Sequence, residues 1–206
     1  MTKLHISEGN SKLGRIPNLN LTPGPSPQGS CRRDAPCFKP GLCYSRKAWL
    51  QYPLVREQWS SNLSLWRQDP AGFKRQLVEY LELRAPARFR FHSSGDIPDQ
   101  KYADMIISIA ADYPQTQFLV FTKQYELRLG HDVPNLSIVY SRWPGLEFPA
   151  ELRDQPQAHF EDGVVSTVDT DDTDITPCSG SCKHCSLCWL LGQGGGNLGH
   201  VLFHKH

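Results

Sequence analysis

Cysteine is missing from most of this 206-residue chain, because all seven cysteines lie in two stretches and none lies between Cys43 and Cys178. No apolar run approaches the ~20 residues needed to cross a bilayer. The formal net charge is only +1, so no bulk electrostatic argument favours nucleic acid as a partner. Residues 1–14 are polar and lack the apolar segment of a secretory signal. These absences predict a cytoplasmic protein without a membrane partner and without a strong nucleic-acid signal.

The denser thiol stretch covers residues 178–188, where four cysteines follow the spacing C-x3-C-x2-C-x2-C. Soft thiolates this close together suit iron–sulfur clusters or Zn²⁺. Disulfides would need an oxidising compartment, which nothing at the N-terminus indicates. We therefore predict a metal site formed by Cys178, Cys182, Cys185 and Cys188. His184 lies between these ligands and can replace a cysteine.

The other thiol stretch lies in residues 22–41 and just beyond, a segment too rich in proline, glycine and serine for regular structure. Its cysteines are Cys31, Cys37 and Cys43. An odd number of cysteines in a reducing compartment fits metal ligation better than paired bridges. We predict that this loop also binds metal.

Hydrophobic periodicity predicts three helical regions. Residues 44–68 have helical spacing that is interrupted near Pro53, and a second helix begins at Asp69-Pro70, with proline in its first turn. A third helix covers residues 99–112. Strands are predicted by alternation and β-propensity at residues 16–21, 88–93, 117–122 and 136–141, with a weaker one at 164–168.

Strands that alternate with helices predict βαβ units and a parallel sheet. Four or five strands are too few to close an eight-stranded barrel, so we predict an α/β fold that is an incomplete, open parallel barrel. Both cysteine loops follow predicted strands and are expected at the C-terminal rim, where reactive groups gather in such folds. Residues 15–190 would form this single iron–sulfur domain, between a flexible lead (1–14) and a glycine-rich tail (191–206). The acidic run at residues 169–174 is interpreted as a solvated loop.

Several polar residues also follow predicted strands, and each has two interpretations. His92 can be a ligand or proton donor, or a core histidine. Asp96 can hold a cofactor amine, or form an Asx-type turn. Lys123 and Arg142 can bind a carboxylate or phosphate, or be solvated charges at strand ends.

Two of these segments resemble a known enzyme class. A strand, a loop of three cysteines ending in Leu42-Cys43-Tyr44 and then a helix resemble the cluster loop of radical S-adenosylmethionine enzymes. Ser94-Gly95-Asp96-Ile97 resembles their Gly-Gly-Glu-Pro segment, which contacts the methionine amine of the cofactor. Over about residues 11–190 the chain is also similar to an uncharacterised phage-encoded gene-product family, through Cys43-Tyr44, His92-Ser93-Ser94-Gly95-Asp96, Phe121-Thr122-Lys123 and the last cysteines up to Trp189.

The resemblance implies one or two [4Fe-4S] clusters, with S-adenosylmethionine as a candidate cofactor. Ser94, Gly95, Asp96 and Arg142 would bind the cofactor, and Asp96, Lys123 and His92 would be catalytic. It also implies redox or radical-type chemistry on a small-molecule or sulfide ligand at an open iron, an electron donor, and a phage protein in the host cytoplasm.

The cysteine spacing leaves the location of the open iron undecided. Radical enzymes use C-x3-C-x2-C, whereas the N-terminal loop has C-x5-C-x5-C, and the family spacing occurs at Cys178, Cys182 and Cys185. A fourth thiolate, Cys188, would close that cluster, so strand order favours the N-terminal loop as the open site. The alternative function is a non-enzymatic module with structural zinc at residues 178–188.

Overall fold

The computed structural model describes residues 2–38, 42–162, 166–168, 174–191 and 199–204. The strands are β1 (Ile6–Ser7), β2 (Asn18–Leu19), β3 (Arg88–Phe91), β4 (Gln117–Thr122), β5 (Leu136–Ser141), β6 (Gln157–Glu161), β7 (Ile175–Pro177) and β8 (His200–His204). They form one sheet in the order β1-β2-β3-β4-β5-β6-β8-β7. β1 is antiparallel to β2, and all other neighbouring strands are parallel.

The longer helices agree with the sequence prediction. Pro53 begins a new helix, because a proline is tolerated in the first turn but breaks the interior. Asp69 and Asp99 cap the next two helices, and their carboxylates accept hydrogen bonds from Gly72 N and Tyr102 N. The helices are α1 (Tyr44–Gln51), α2 (Pro53–Gln68), α3 (Pro70–Arg84), α4 (Gln100–Asp112) and α5 (Leu187–Leu190). None of these described helices is both long and apolar enough to span a membrane.

The prediction of a mostly parallel α/β sheet is confirmed. β4 and β5 have the predicted bounds, whereas β3 ends at Phe91. It ends there because His92 has a φ of 58°, which lies outside the strand region. For the predicted strand at 164–168, residues 163–165 lie outside the described part, and Ser166 forms only an isolated bridge to Glu161.

Both the predicted flexible lead and the predicted tail contribute strands in this structure. β1 lies within residues 1–14, where Leu4 and Leu13 are buried. β8 lies within residues 191–206 and pairs with both β6 and β7. These strands are short and depend on distant partners, so local periodicity does not indicate them. The rest of the predicted tail, residues 192–198 and 205–206, lies outside the described residues, as does most of the acidic run, residues 169–173.

The sheet has two differently covered faces, because side chains alternate along each strand. On the helix face, Phe89, Phe91, Phe118 and Ile138 belong to the main hydrophobic core together with residues of α2, α3 and α4. The other side, called the second face below, carries Leu119, Val139, Ala158 and Val201, which form a second cluster with Trp189 and Leu191. The C-terminal segment that includes α5 therefore covers the second face.

Candidate functional site

The loop after β2 holds Cys31 in a defined position. Its N–H donates to Gly24 O (2.9 Å), and its carbonyl accepts from Ser26 N (2.9 Å). The Gly24 N–H points at the thiol, with N and Sγ 3.4 Å apart. Burial is the main cause that raises the pKa of Cys31 well above its usual value, and the negative charge of Asp96 is the second. A nearby cation or a bound metal would therefore be needed to favour the thiolate.

The other two N-terminal thiols lie in the same neighbourhood. Cys37 lies in a 3₁₀ turn (Pro36–Phe38), and Cys43 is the residue immediately before α1. Burial raises the pKa of Cys37, the Lys123 charge lowers it, and Cys43 and Asp96 raise it further. The structure thus places the three thiols in one neighbourhood with Asp96 and Lys123, near the C-terminal ends of β2, β3 and β4. Residues 39–41 of the loop lie outside the described part.

The segment Ser94-Gly95-Asp96 fixes the start of this cysteine loop. Ser94 N donates to Asn20 Oδ1 (2.9 Å), and Asp96 N donates to Ser30 Oγ (3.0 Å). Gly95 has a φ of 79°, and a Cβ there would collide with Ser30 Oγ. Glycine is required at this position because the loop backbone passes so close.

Both oxygens of the Asp96 carboxylate are occupied by protein donors. Oδ1 accepts from Thr122 Oγ1 (2.7 Å) and from Ile97 N (2.8 Å), and Oδ2 accepts from Lys123 N (2.9 Å). Burial raises the pKa of Asp96, and these hydrogen bonds and the charge of Lys123 oppose that rise. In this structure the carboxylate joins the loop after β3 to the end of β4.

Three cations at this end of the sheet lie over aromatic rings, as cation–π pairs do. Lys123 Nζ is 5.3 Å from the ring centroid of Trp143. The Arg142 and Arg32 guanidinium carbons are each 5.1 Å from a ring centroid, those of Phe148 and Tyr125 respectively. Arg32 also donates to Lys123 O (2.7 Å). Sequence reasoning missed Arg32, Tyr125 and Trp143, because each pair joins segments that are distant in the chain.

His92 lies away from the thiols, inside the helix face. Its Nε2 is 3.1 Å from Tyr102 Oη, and its ring packs against those of Phe91 and Tyr102. Nδ1 is buried and has no hydrogen-bond partner within the described residues. Burial, with a smaller contribution from Arg90, lowers the pKa of His92 to about 3. The structure therefore favours a neutral core histidine over a ligand or proton donor.

This burial predicts a pH-dependent stability. The unfolded chain binds a proton at His92 below about pH 6.5, whereas the folded protein resists it down to about pH 3. The free energy of unfolding should therefore fall as pH decreases through that window, by up to about 1.4 kcal/mol per unit from this group. In His92→Asn, which tolerates a positive φ, this part of the slope should vanish. Urea unfolding between pH 7 and pH 4 measures it, and equal slopes for both proteins would contradict the assignment.

The C-terminal thiol segment starts at the strand ends but does not stay there. Cys178 directly follows β7, and its N–H donates to Leu202 O (2.8 Å). Further on, Lys183 N donates to Lys12 O (3.2 Å), which precedes β2. Ser137 Oγ, near the start of β5, lies 2.6 Å from Cys188 O. The segment therefore crosses the second face toward the N-terminal ends of the strands.

The prediction that both cysteine loops lie at the C-terminal rim is thus correct for the N-terminal loop and, in the other loop, for Cys178 alone. The physical reason is the burial of Trp189 and Leu191, which draws the segment onto apolar residues of the second face. A spacing motif does not reveal this, because it depends on which face lacks a helix.

The four C-terminal thiols have their own charged neighbour, Arg90. Burial raises the pKa of Cys182, the charge of Arg90 lowers it, and Cys178 and Cys185 raise it. Burial raises the pKa of Cys188 to about 12, where Cys182 and Cys178 also raise it and Arg90 lowers it. These four thiols therefore form a group that is distinct from the one beside Lys123.

The donor chemistry of both groups fits a metal–thiolate centre, although the ligands are not gathered around one point. All seven cysteines are free thiols. Backbone N–H groups point at Cys31 Sγ and at Cys178 Sγ, each with N and Sγ 3.4 Å apart, and such hydrogen bonds to sulfur tune metal–sulfur centres. Within the described ranges, no three Cys, His, Asp or Glu side chains converge closely enough to hold one ion. Metal binding would have to draw the thiols together.

Fold and thiols together define an α/β protein whose mostly parallel sheet carries two separate thiol groups. The chain belongs to the gene product 88 family, whose family model matches residues 2–178. This match confirms the resemblance to a numbered gene-product family, and it includes the three N-terminal cysteines and Cys178. No curated protein and no solved structure matches the chain. The resemblance to radical S-adenosylmethionine enzymes stays a prediction.

Proposed function

We propose that the protein binds an iron–sulfur cluster, of [4Fe-4S] type, through Cys31, Cys37 and Cys43. The observation that supports this is the placement of three half-buried thiols in the loop after β2, with Lys123, which follows β4, beside Cys31 and Cys37. Thiolates are the usual ligands of such clusters. Three protein ligands would leave one iron of a cubane open to a small molecule or to sulfide.

The surroundings of this site suit an anionic ligand. Lys123 and Arg142 follow β4 and β5, so their positive charges lie at the same end of the sheet as the three thiols. A carboxylate-bearing molecule fits this charge, and S-adenosylmethionine is one such candidate. The oxygens of Asp96 already accept protein hydrogen bonds, so we assign this residue to holding the loop and not to binding the cofactor amine.

The chemistry that we propose is redox chemistry, possible because a cluster accepts and delivers single electrons. Cys31, Cys37 and Cys43 would hold the cluster, and Lys123 would balance part of its negative charge. The loop residues Ser94 and Gly95 would keep Cys31 in place through Asn20 and Ser30. An electron donor is then required as a partner.

For the C-terminal group we propose a second metal centre with four thiolate ligands. Four thiolates complete the coordination of zinc or of a closed cluster. The second candidate function, a zinc module that binds a partner without catalysis, is favoured by one contact. The segment is tied to the N-terminal region through Lys183 N and Lys12 O, as a structural site would be.

Anaerobic purification followed by metal and sulfide analysis tests this proposal. We expect a brown protein that contains iron and acid-labile sulfide, because sulfur-to-iron charge transfer is coloured whereas zinc thiolates are not. Fewer than about one iron per chain after reconstitution, together with stoichiometric zinc, would contradict the cluster and favour the zinc module.

The position of the open iron has a separate test. In Cys37→Ser, the EPR changes that S-adenosylmethionine or sulfide causes in the reduced protein should disappear. Cys185→Ser is the matched control, which should keep these changes and lose metal. The reverse pattern would move the open iron to Cys178, Cys182 and Cys185, whose spacing also permits it.

A further inference from the structure

Arg90 is a cation on the second face that has no ion-pair partner among the described residues. The alternation Arg-Phe-Arg-Phe in β3 places Arg88 and Arg90 on this face, while Phe89 and Phe91 enter the main core. The Nε of Arg90 is buried and has no hydrogen-bond partner within the described residues. None of the ion pairs between described residues includes Arg90. A buried N–H of a charged group that makes no hydrogen bond lowers the stability of the folded protein. The presence of arginine at this position therefore needs an explanation.

The C-terminal thiols lie beside this cation. The Arg90 guanidinium carbon is 5.0 Å from the ring centroid of Phe121. Phe121, Cys178, Cys182 and Cys188 all pack against the same hydrophobic cluster of the second face. The charge of Arg90 also acts on Cys182 and Cys188. Arg90 therefore faces the place where four thiolates would accumulate negative charge.

We propose that Arg90 is the counter-cation of the metal–thiolate centre at residues 178–188, acting as a positioning residue and not as a ligand. The inference is built on the proposed function. Four thiolates around Zn²⁺ carry two net negative charges, and a closed cubane is also an anion, so either centre gains from a nearby fixed positive charge. Lys123 has the corresponding place beside Cys31 and Cys37. Each thiol group would then have its own cation.

Arg90→Gln in the 206-residue chain tests this inference. If the C-terminal centre is a cluster, its midpoint potential in an EPR-monitored titration should become more negative, because the less anionic oxidised state is now relatively favoured. If the centre is zinc, competition with a chelator should show about tenfold weaker binding. Arg90→Lys should restore most of either property, since it keeps the charge.

Arg88→Gln is the matched control. This substitution removes the same charge from the same face of the same strand. In the wild-type protein, however, the Arg88 guanidinium carbon lies over Trp189, 5.5 Å from the ring centroid. The substitution should leave the potential and the zinc affinity nearly unchanged. Equal effects of the Arg88 and Arg90 substitutions, or no effect of Arg90→Gln, would overturn the proposal.

A second variant covers the case in which Arg90→Gln does not fold. Lys12 is exposed, and its charge also acts on Cys182, so Lys12→Gln should fold normally and shift the same property in the same direction, by less. The absence of any shift would then count against the inference. If wild-type protein holds no metal at the C-terminal thiols, the proposed second centre itself is wrong, whereas a loaded but insensitive centre contradicts only the role of Arg90.

Discussion

Trp189→Ala should lower the free energy of unfolding by about 3–5 kcal/mol, the usual cost of truncating a buried tryptophan. Trp189 is 1% exposed and packs with Leu119 and Val139 on the second face. It is the largest side chain that holds the C-terminal segment on the sheet. Without it, we expect Cys182 and Cys188 to separate from Arg90 and the C-terminal centre to lose its metal. Urea unfolding and metal analysis of the purified variant measure these two effects.

Trp189→Phe is the control for this substitution. The indole Nε1 is buried without a hydrogen-bond partner in the described part of the chain, so phenylalanine removes no hydrogen bond and keeps most of the apolar contact. We expect a loss of about 1 kcal/mol and normal metal content. Normal stability and metal content in Trp189→Ala would show that this residue does not hold the segment in place.

Asp96→Asn should destabilise the protein by about 3 kcal/mol, although the change is nearly isosteric. Both carboxylate oxygens accept backbone N–H groups, from Ile97 and from Lys123. An amide must place its NH₂ group against one of these donors, which leaves a buried N–H unpaired. Because Asp96 N also binds Ser30 Oγ, the loop that carries Cys31 should loosen as well.

Asp104→Asn is the matched comparison for Asp96→Asn. Asp104 is an exposed carboxylate on α4 that, within the described part of the structure, accepts only from Gln100 Nε2. Its replacement should change the free energy of unfolding by no more than about 0.5 kcal/mol. Chemical unfolding at pH 7 separates the two variants. If Asp96→Asn unfolded at the same denaturant concentration as Asp104→Asn, the structural role assigned to Asp96 would be wrong.

The parts of the fold that could be predicted are those with strong local patterns. The helices α2, α3 and α4 have apolar periodicity, α2 begins with a proline, and α3 and α4 have capping aspartates. β4 and β5 are apolar runs of ordinary length. The strands β1, β7 and β8 could not be predicted, because two or three residues carry no period and β8 depends on pairing with β6 and β7. The rule that parallel sheets collect polar residues at their C-terminal ends correctly placed Asp96 and Lys123 beside the N-terminal thiols.

The same rule failed where a side chain turns or a segment crosses the sheet. His92 follows β3 as predicted, but its positive φ accompanies a ring that packs on Tyr102 in the helix face. Sequence reasoning does not identify Arg90 as a candidate, because a charged residue in the middle of a strand is expected to face solvent unless the segment that covers that face is known. Here the cover is the C-terminal thiol segment itself.

The metal content of variants that lack one thiol group tests most directly whether the two separate thiol groups each hold their own metal centre. One variant of the 206-residue chain replaces Cys31, Cys37 and Cys43 with serine, and the other replaces Cys178, Cys182, Cys185 and Cys188 with serine. After anaerobic reconstitution, we expect each variant to lose the metal of its own group and to keep that of the other. If either variant lost all bound metal, or if neither lost any, the assignment of two independent centres would be contradicted.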